Sequence, residues 1–146
     1  TRMERHFTVR TRSDLVRSLA DVQRAIDGGR TPILDARAPP RFRGEVSEPR
    51  AGVKSGRIPG SLNVPFQSLL NADGMMKSAD DLKQIFSDAT VDPKAAPICS
   101  CGSGITAAVI ALALARTGRW DAAVYDGSWA EWGALDDAPI VTGADT

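Results

Sequence analysis

Pro97-Ile-Cys-Ser-Cys-Gly-Ser-Gly-Ile-Thr106 runs straight into Ala107-Ala-Val-Ile-Ala-Leu-Ala-Leu-Ala115, and this junction decides the fold. A short apolar stretch ends at Cys101, two glycines keep the next residues small, and a run of helical length begins at Thr106. A strand that turns tightly into a helix aims backbone N–H groups and the positive end of the helix dipole at the turn. A thiol exposed there has a depressed pKa and is largely thiolate at neutral pH. A free cysteine near pKa 8.5 is only a few per cent ionised at pH 7, and lowering it by about two units is worth roughly 2.7 kcal/mol. Cys101 is the candidate nucleophile.

Cys99 lies inside the apolar strand and reads as core packing. On an extended strand the Cα atoms of Cys99 and Cys101 lie about 7 Å apart, too far for an unstrained disulfide. No disulfide scaffold is implied, and a reducing cytoplasm is the expected setting.

Upstream, Ser13 to Ile26 reads as an amphipathic helix with Leu15, Val16, Leu19, Val22 and Ile26 on one stripe. Thr11 or Ser13 would cap it and Gly28-Gly29 would end it. Pro32-Ile-Leu-Asp-Ala36 is a short buried strand. A polar, irregular segment follows from Arg37 to Arg57, a length that in a compact domain points to function. Ser61-Leu-Asn-Val-Pro-Phe66 is a second strand, Asn71-Ala-Asp-Gly74 a turn, and Ser78 the start of a helix with Leu82, Ile85 and Phe86 inward. Beyond the Cys101 loop the helix runs to Thr117 and stops at Gly118. Ala122-Ala-Val-Tyr125 is a further strand, after which Asp126-Gly127 turns into Ser128-Trp-Ala-Glu-Trp132.

Short apolar strands alternating with helices predict an α/β domain, a mainly parallel sheet with helices on both faces. Ligands in such sheets bind at the carboxyl ends of strands, where Asp35 and Cys101 fall. The 146 residues, 42% apolar and 25% charged, suit one compact domain. Basic and acidic residues balance at 18 each, which gives no reason to expect a nucleic-acid surface or a polybasic membrane patch. The run Ala107 to Ala115 is too short to span a bilayer, and residues 1–7 carry no hydrophobic signal segment. The chain opens at Thr1 in mid-flow, as a domain excised from a longer protein would.

Several segments, in order, resemble the rhodanese family of sulfurtransferases. They are Leu34-Asp-Ala-Arg37, Arg41-Phe-Arg-Gly44, Glu48-Pro-Arg50, Gly56-Arg-Ile-Pro-Gly60, Asn63-Val-Pro-Phe66, Cys101-Gly-Ser-Gly-Ile-Thr106 and Tyr125-Asp-Gly-Ser-Trp-Ala-Glu-Trp132. The chain is most similar to the catalytic C-terminal domain of the 3-mercaptopyruvate sulfurtransferases. The resemblance implies a three-layer rhodanese-like domain over residues 1–146. It implies that Cys101 takes sulfur from 3-mercaptopyruvate, keeps it as a persulfide and passes it to a thiol, such as that of thioredoxin, or to cyanide. It implies no cofactor and no metal. It also implies a missing N-terminal rhodanese domain, since these enzymes usually carry two domains with the active site between them.

On the same resemblance, Ser103 helps activate the thiol or polarise the substrate; the alternative is a loop residue chosen for its size. Gly102 and Gly104 let backbone amides turn inward, and with Ile105 they complete a substrate-binding loop that Thr106 ties to the helix. Arg41 and Arg50 match the arginines that hold the planar keto-carboxylate, for which guanidinium forks are suited; the alternative is that they are solvated or paired with Glu45 and Glu48. Arg37 and Arg43 read as structural ion-pair partners, one of them for Asp35. Arg57 stands where the family usually has histidine. Trp129 and Trp132 read as packing at the core edge. His6, the only histidine, is too remote to suggest a Cys-His dyad, and the cysteines and histidine are badly spaced for zinc.

Cell-cycle phosphatases share the fold but need an arginine after five residues beyond their cysteine. Here Ala107 follows the intervening five, and no basic residue occurs from Gly102 to Ala115. Two other readings stay open: a thiosulfate sulfurtransferase, and a persulfide carrier or regulatory module without turnover.

Overall fold

The computed structural model describes residues 8–144; His6 and Thr1 lie outside them. Five parallel strands form one sheet in the order β1-β5-β4-β2-β3. They are β1 (Val16–Arg17), β2 (Ile33–Asp35), β3 (Leu62–Asn63), β4 (Ile98–Ser100) and β5 (Ala123–Tyr125). The helices are α1 (Leu19–Gly28), α2 (Pro39–Phe42), α3 (Ala79–Asp88), α4 (Ala107–Arg116) and α5 (Ser128–Trp132).

Alternation along the strands divides the core in two. Leu34 and Cys99 face a cluster with Leu82 and Phe86 of α3 and with Ala107, Ile110, Ala113 and Leu114 of α4. Ile33, Ile98 and Tyr125 face the other side, against Val22 and Ala25 of α1 and Trp129 and Trp132 of α5. The expected α/β architecture, a parallel sheet covered on both faces, is what the chain adopts. Among the described residues no helix is long and apolar enough to cross a membrane.

The second strand is shorter than expected, β3 ending at Asn63 and Phe66 opening a 3-10 turn, Phe66–Leu69; two further elements differ from expectation. The first helix begins at Leu19, not Ser13. Its cap is Ser18, whose hydroxyl accepts the Asp21 N–H at 3.3 Å while the Asp21 carboxylate accepts the Ser18 N–H at 2.8 Å. That reciprocal pair, visible in the sequence as Ser18-x-x-Asp21, outweighs the apolar stripe as a start signal. Leu15 closes a 3-10 turn, and Val16–Arg17 instead extends the sheet beside β5. The second of the two is α2, a short helix inside the polar segment where the sequence suggests irregular chain. Pro39 at its first position, preorganised in φ and lacking a donor the helix would not use, explains it. Fully buried Phe42 anchors α2 to the core and so fixes Arg41 one residue earlier.

Candidate active site

β4 ends at Ser100, and the next residues curl into a tight loop before α4. Cys101 is 1% exposed, so its thiol is covered, in contrast to the exposed thiol that the loop context predicts. The side chain folds back under its own loop, where the Gly104 N–H donates to Sγ at 3.1 Å. Burial pushes the Cys101 thiol up. The Thr106 hydroxyl and the amides of Ser103, Ala107 and Thr106 outweigh it and leave the thiol below its ordinary value. Thr106 stands at the N-cap of α4, yet its side chain makes no capping bond and serves the sulfur instead. Cys99, two residues earlier, has burial without such donors, and its thiol is pushed up to about 12.

Space requires a glycine at one loop position and leaves a second close-fitting. Gly104 has φ +85°, and a Cβ there would lie 2.6 Å from the Asp126 carbonyl oxygen. A Cβ on Gly102 would lie 3.0 Å from Arg41 Nη2, so the guanidinium would have to shift by a few tenths of an ångström to make room.

A cleft of about 160 Å³ opens next to this loop, lined by Arg41, Glu48, Pro49, Arg50, Val53, Gly102, Ser103 and Ala130. Ser103 and Gly102 therefore bring the loop to the cleft, with Arg41 and Arg50 on its wall. Gly104, Ile105 and Thr106 do not line it, and Ile105 is 77% exposed. Larger hollows, about 510 Å³ beside Arg57 and Asp88 and about 480 Å³ beside Arg17 and Asp121, include no residue of the Cys101 loop.

The arginines are held by a buried ion network. Arg37 Nη2 meets Asp35 Oδ2 at 2.7 Å and Arg37 Nη1 meets Glu48 Oε1 at 3.1 Å, all three side chains being at most 3% exposed. Arg37 also donates to the Gly56 carbonyl and lies 4.4 Å over the Trp129 ring. Glu48 turns its second oxygen to Arg41 Nη2 at 2.5 Å. Arg41 pairs with Glu48 and also lines the cleft, 30% exposed. Arg43 pairs with Glu45, leaving Asp35 to Arg37. Arg50 is exposed, and among the described residues no carboxylate pairs with it. The sequence offers Glu48 beside Glu45 as a mate for the arginines of this segment, without a choice between them and without the link to Arg37. The spacing of Glu48, seven residues after Arg41 within a polar segment, is a signal only once α2 is known.

Arg57 sits outside the cleft. Its backbone exchanges hydrogen bonds with Val141, and its guanidinium donates to the carbonyls of Gly143 and Ala144. Trp129 and Trp132 are wholly buried rather than at an edge, and their indole N–H groups donate to the Lys54 and Pro139 carbonyls.

Comparison with known proteins places this geometry. A family model described as a rhodanese-like domain matches residues 18–135. A 3-mercaptopyruvate sulfurtransferase of Escherichia coli (strain K12) is 42% identical over 137 residues, 94% of this chain and 48% of that protein. A thiosulfate sulfurtransferase of Rattus norvegicus is also 42% identical, over 86% of this chain and 43% of its own length. The crystal structure of Tum1 from Saccharomyces cerevisiae superposes with a TM-score of 0.80 at 31% identity, covering 91% of this chain and 48% of the other. The chain thus spans less than half the length of these relatives. With the family model running from the start of α1 past the end of α5, the chain belongs to the rhodanese-like domain family.

Proposed function

We propose that this domain is a sulfurtransferase in which the Cys101 thiolate attacks the thiol sulfur of 3-mercaptopyruvate. The new S–S bond forms as the S–C bond breaks, and the electron pair leaves with the three-carbon fragment, which takes a proton to become pyruvate. An acceptor thiolate, such as that of thioredoxin, or cyanide then attacks the outer sulfur and frees Cys101 again. Arg41 and Arg50 bind the donor carboxylate, and the Ser103 hydroxyl, at the cleft next to the loop, orients the sulfur. A second rhodanese-like domain belongs to the same reading, given relatives more than twice the matched length. The setting is a reducing compartment, the cytoplasm.

The observation that carries this reading is the convergence on one side chain: donors around Cys101 Sγ favour its anion, and a cleft with two guanidinium groups adjoins its loop. Thiosulfate is the alternative donor, supported by the likeness to a thiosulfate sulfurtransferase; the same attack would then release sulfite. Intact-mass spectrometry after mixing the chain with either donor tests the reading. A gain of one sulfur atom, reversed by a thiol and absent in Cys101→Ser, is expected. No gain with either donor overturns it.

A further inference from the structure

The pairing of β4 with β5 stops one rung short of where its register leads. Ile98 lies opposite Ala123 and Cys99 opposite Val124. The alternation of a parallel ladder would next send the Cys101 N–H to the Tyr125 carbonyl. Instead the Ser128 hydroxyl stands between these two groups. It accepts the Cys101 N–H at 3.1 Å and donates to the Tyr125 carbonyl at 2.8 Å.

Ser128 reaches that place at a cost. Its φ is +51°, one of two positive values among the described non-glycine residues, and its side chain is completely buried. A glycine would take this conformation freely but would bring no hydroxyl. The two residues that follow extend the grip: the Trp129 N–H donates to the Cys101 carbonyl and the Ala130 N–H to the Gly102 carbonyl, each at 2.9 Å.

We propose that Ser128 is a positioning residue for the nucleophile: its hydroxyl, wedged into the β4–β5 ladder, parts the strands one rung early and turns Cys101 out of the sheet so that its sulfur meets the loop amides. The proposal rests on the reading of Cys101 as the nucleophile. Without the hydroxyl, the Cys101 N–H and Tyr125 carbonyl are buried and unpaired, a state folded proteins avoid. Their remedy is to bond each other directly. That draws Cys101 toward β5 and lengthens the 3.1 Å contact between Sγ and the Gly104 N–H. The charged groups facing this loop are Arg41 of α2, Glu48 and Arg50 across the cleft, and Asp126 of the β5–α5 turn; substituting Ser128 alters none of them.

Ser128→Gly and Ser128→Ala separate this role from mere packing. Gly relieves the backbone strain, so it reports even where Ala fails to fold. The readout is the rate of iodoacetamide alkylation at Cys101 against pH, resolved from Cys99 by peptide mass, with Tm recorded in parallel. For Ser128→Gly the midpoint should rise by about one pH unit, an approximately tenfold loss of reactivity near neutrality. A Gly variant whose profile superposes on that of the unsubstituted chain overturns the proposal, whatever its Tm. Alkylation needs no sulfur donor. Failure of the unsubstituted chain to load sulfur would therefore sink the sulfurtransferase reading, while the alkylation profile would still decide the role of Ser128.

Discussion

Cys99 and Cys101 share one core cluster two residues apart, yet the structure drives their thiols in opposite directions. At Cys99 burial acts alone against the anion, weakly relieved by Arg119. At Cys101 the same burial is overcome by the Thr106 hydroxyl and the loop amides. Hydrogen bonds to the charged form decide the difference, since desolvation acts on both.

The pH dependence follows from those directions. Because the Cys101 thiol lies below its ordinary value, the thiolate persists at lower pH than in a free cysteine and is lost only as pH falls through that lowered value. Alkylation at about pH 6.5, two units below the ordinary cysteine pKa, should label Cys101 and spare Cys99, which stays protonated through the whole neutral range. Peptide mapping after limited reaction checks this, and preferential labelling of Cys99 would contradict it. Thr106→Val removes one donor and keeps the shape; it should shift the Cys101 profile to higher pH.

Glu48 is the joint between the buried network and the cleft. Glu48→Gln keeps the volume but removes the charge that both Arg37 and Arg41 face. Breaking a buried pair this way costs about 3–5 kcal/mol, readable as a fall in the denaturant midpoint. It also loosens Arg41, so the donor concentration for half-maximal persulfide loading should rise. Arg50→Ala should differ in kind. Its side chain is exposed and unpaired among the described residues, so stability should change by less than about 0.5 kcal/mol while donor binding weakens about tenfold, the loss of one charge-assisted contact. Equal stability losses in the two variants would show that the division between scaffold and binding arginine is wrong.

How much of this the sequence discloses depends on the range of the interaction. The Cys101 loop, the strand before it and α4 are local features, written in adjacent residues, and all are legible. The boundary of α1 has a local signal too, Ser18-x-x-Asp21, but Leu15 and Val16 fit a helical stripe that masks it, and the true place of Val16 is beside β5, far along the chain. Asp35 as the mate of Arg37 is within reach at a separation of two. The choice of Glu48 for both Arg37 and Arg41 is not, because it depends on how α2 and the following loop fold back. The covering of Cys101 is equally invisible: nothing local says whether a loop side chain turns toward solvent or back under its own amides.

Arg57, where the family usually has histidine, reads as a tie on the C-terminal segment. Its guanidinium binds the carbonyls of Gly143 and Ala144 and lies 4.9 Å over the Phe42 ring. Arg57→His keeps the backbone pairing with Val141 but cannot reach both carbonyls. Charged hydrogen bonds of this kind are worth about 1.5–3 kcal/mol, and a stability loss within that range is expected. The alkylation profile of Cys101 should not move. A changed profile would mean that this position communicates with the nucleophile.

The donor itself is predicted by the charge the cleft can meet. Three guanidinium groups, Arg37, Arg41 and Arg50, face two carboxylates, Asp35 and Glu48. One net positive charge remains, and it sits at the cleft through Arg50. A 3-mercaptopyruvate carboxylate brings one negative charge and is answered. Thiosulfate brings two, and the loop from Gly102 to Ile105 has no cation for the second. Loop amides face the sulfur of Cys101 and are already occupied by its thiolate. A missing charge-assisted contact costs about 1.5–3 kcal/mol, on the order of ten- to a hundredfold in rate. Persulfide formation followed side by side with the two donors should therefore favour 3-mercaptopyruvate by about tenfold or more, whatever the absolute rates. Introducing a cation into the loop by Ser103→Lys should narrow or invert that ratio. Equal or faster loading from thiosulfate in the unsubstituted chain would assign the cleft to the dianion instead.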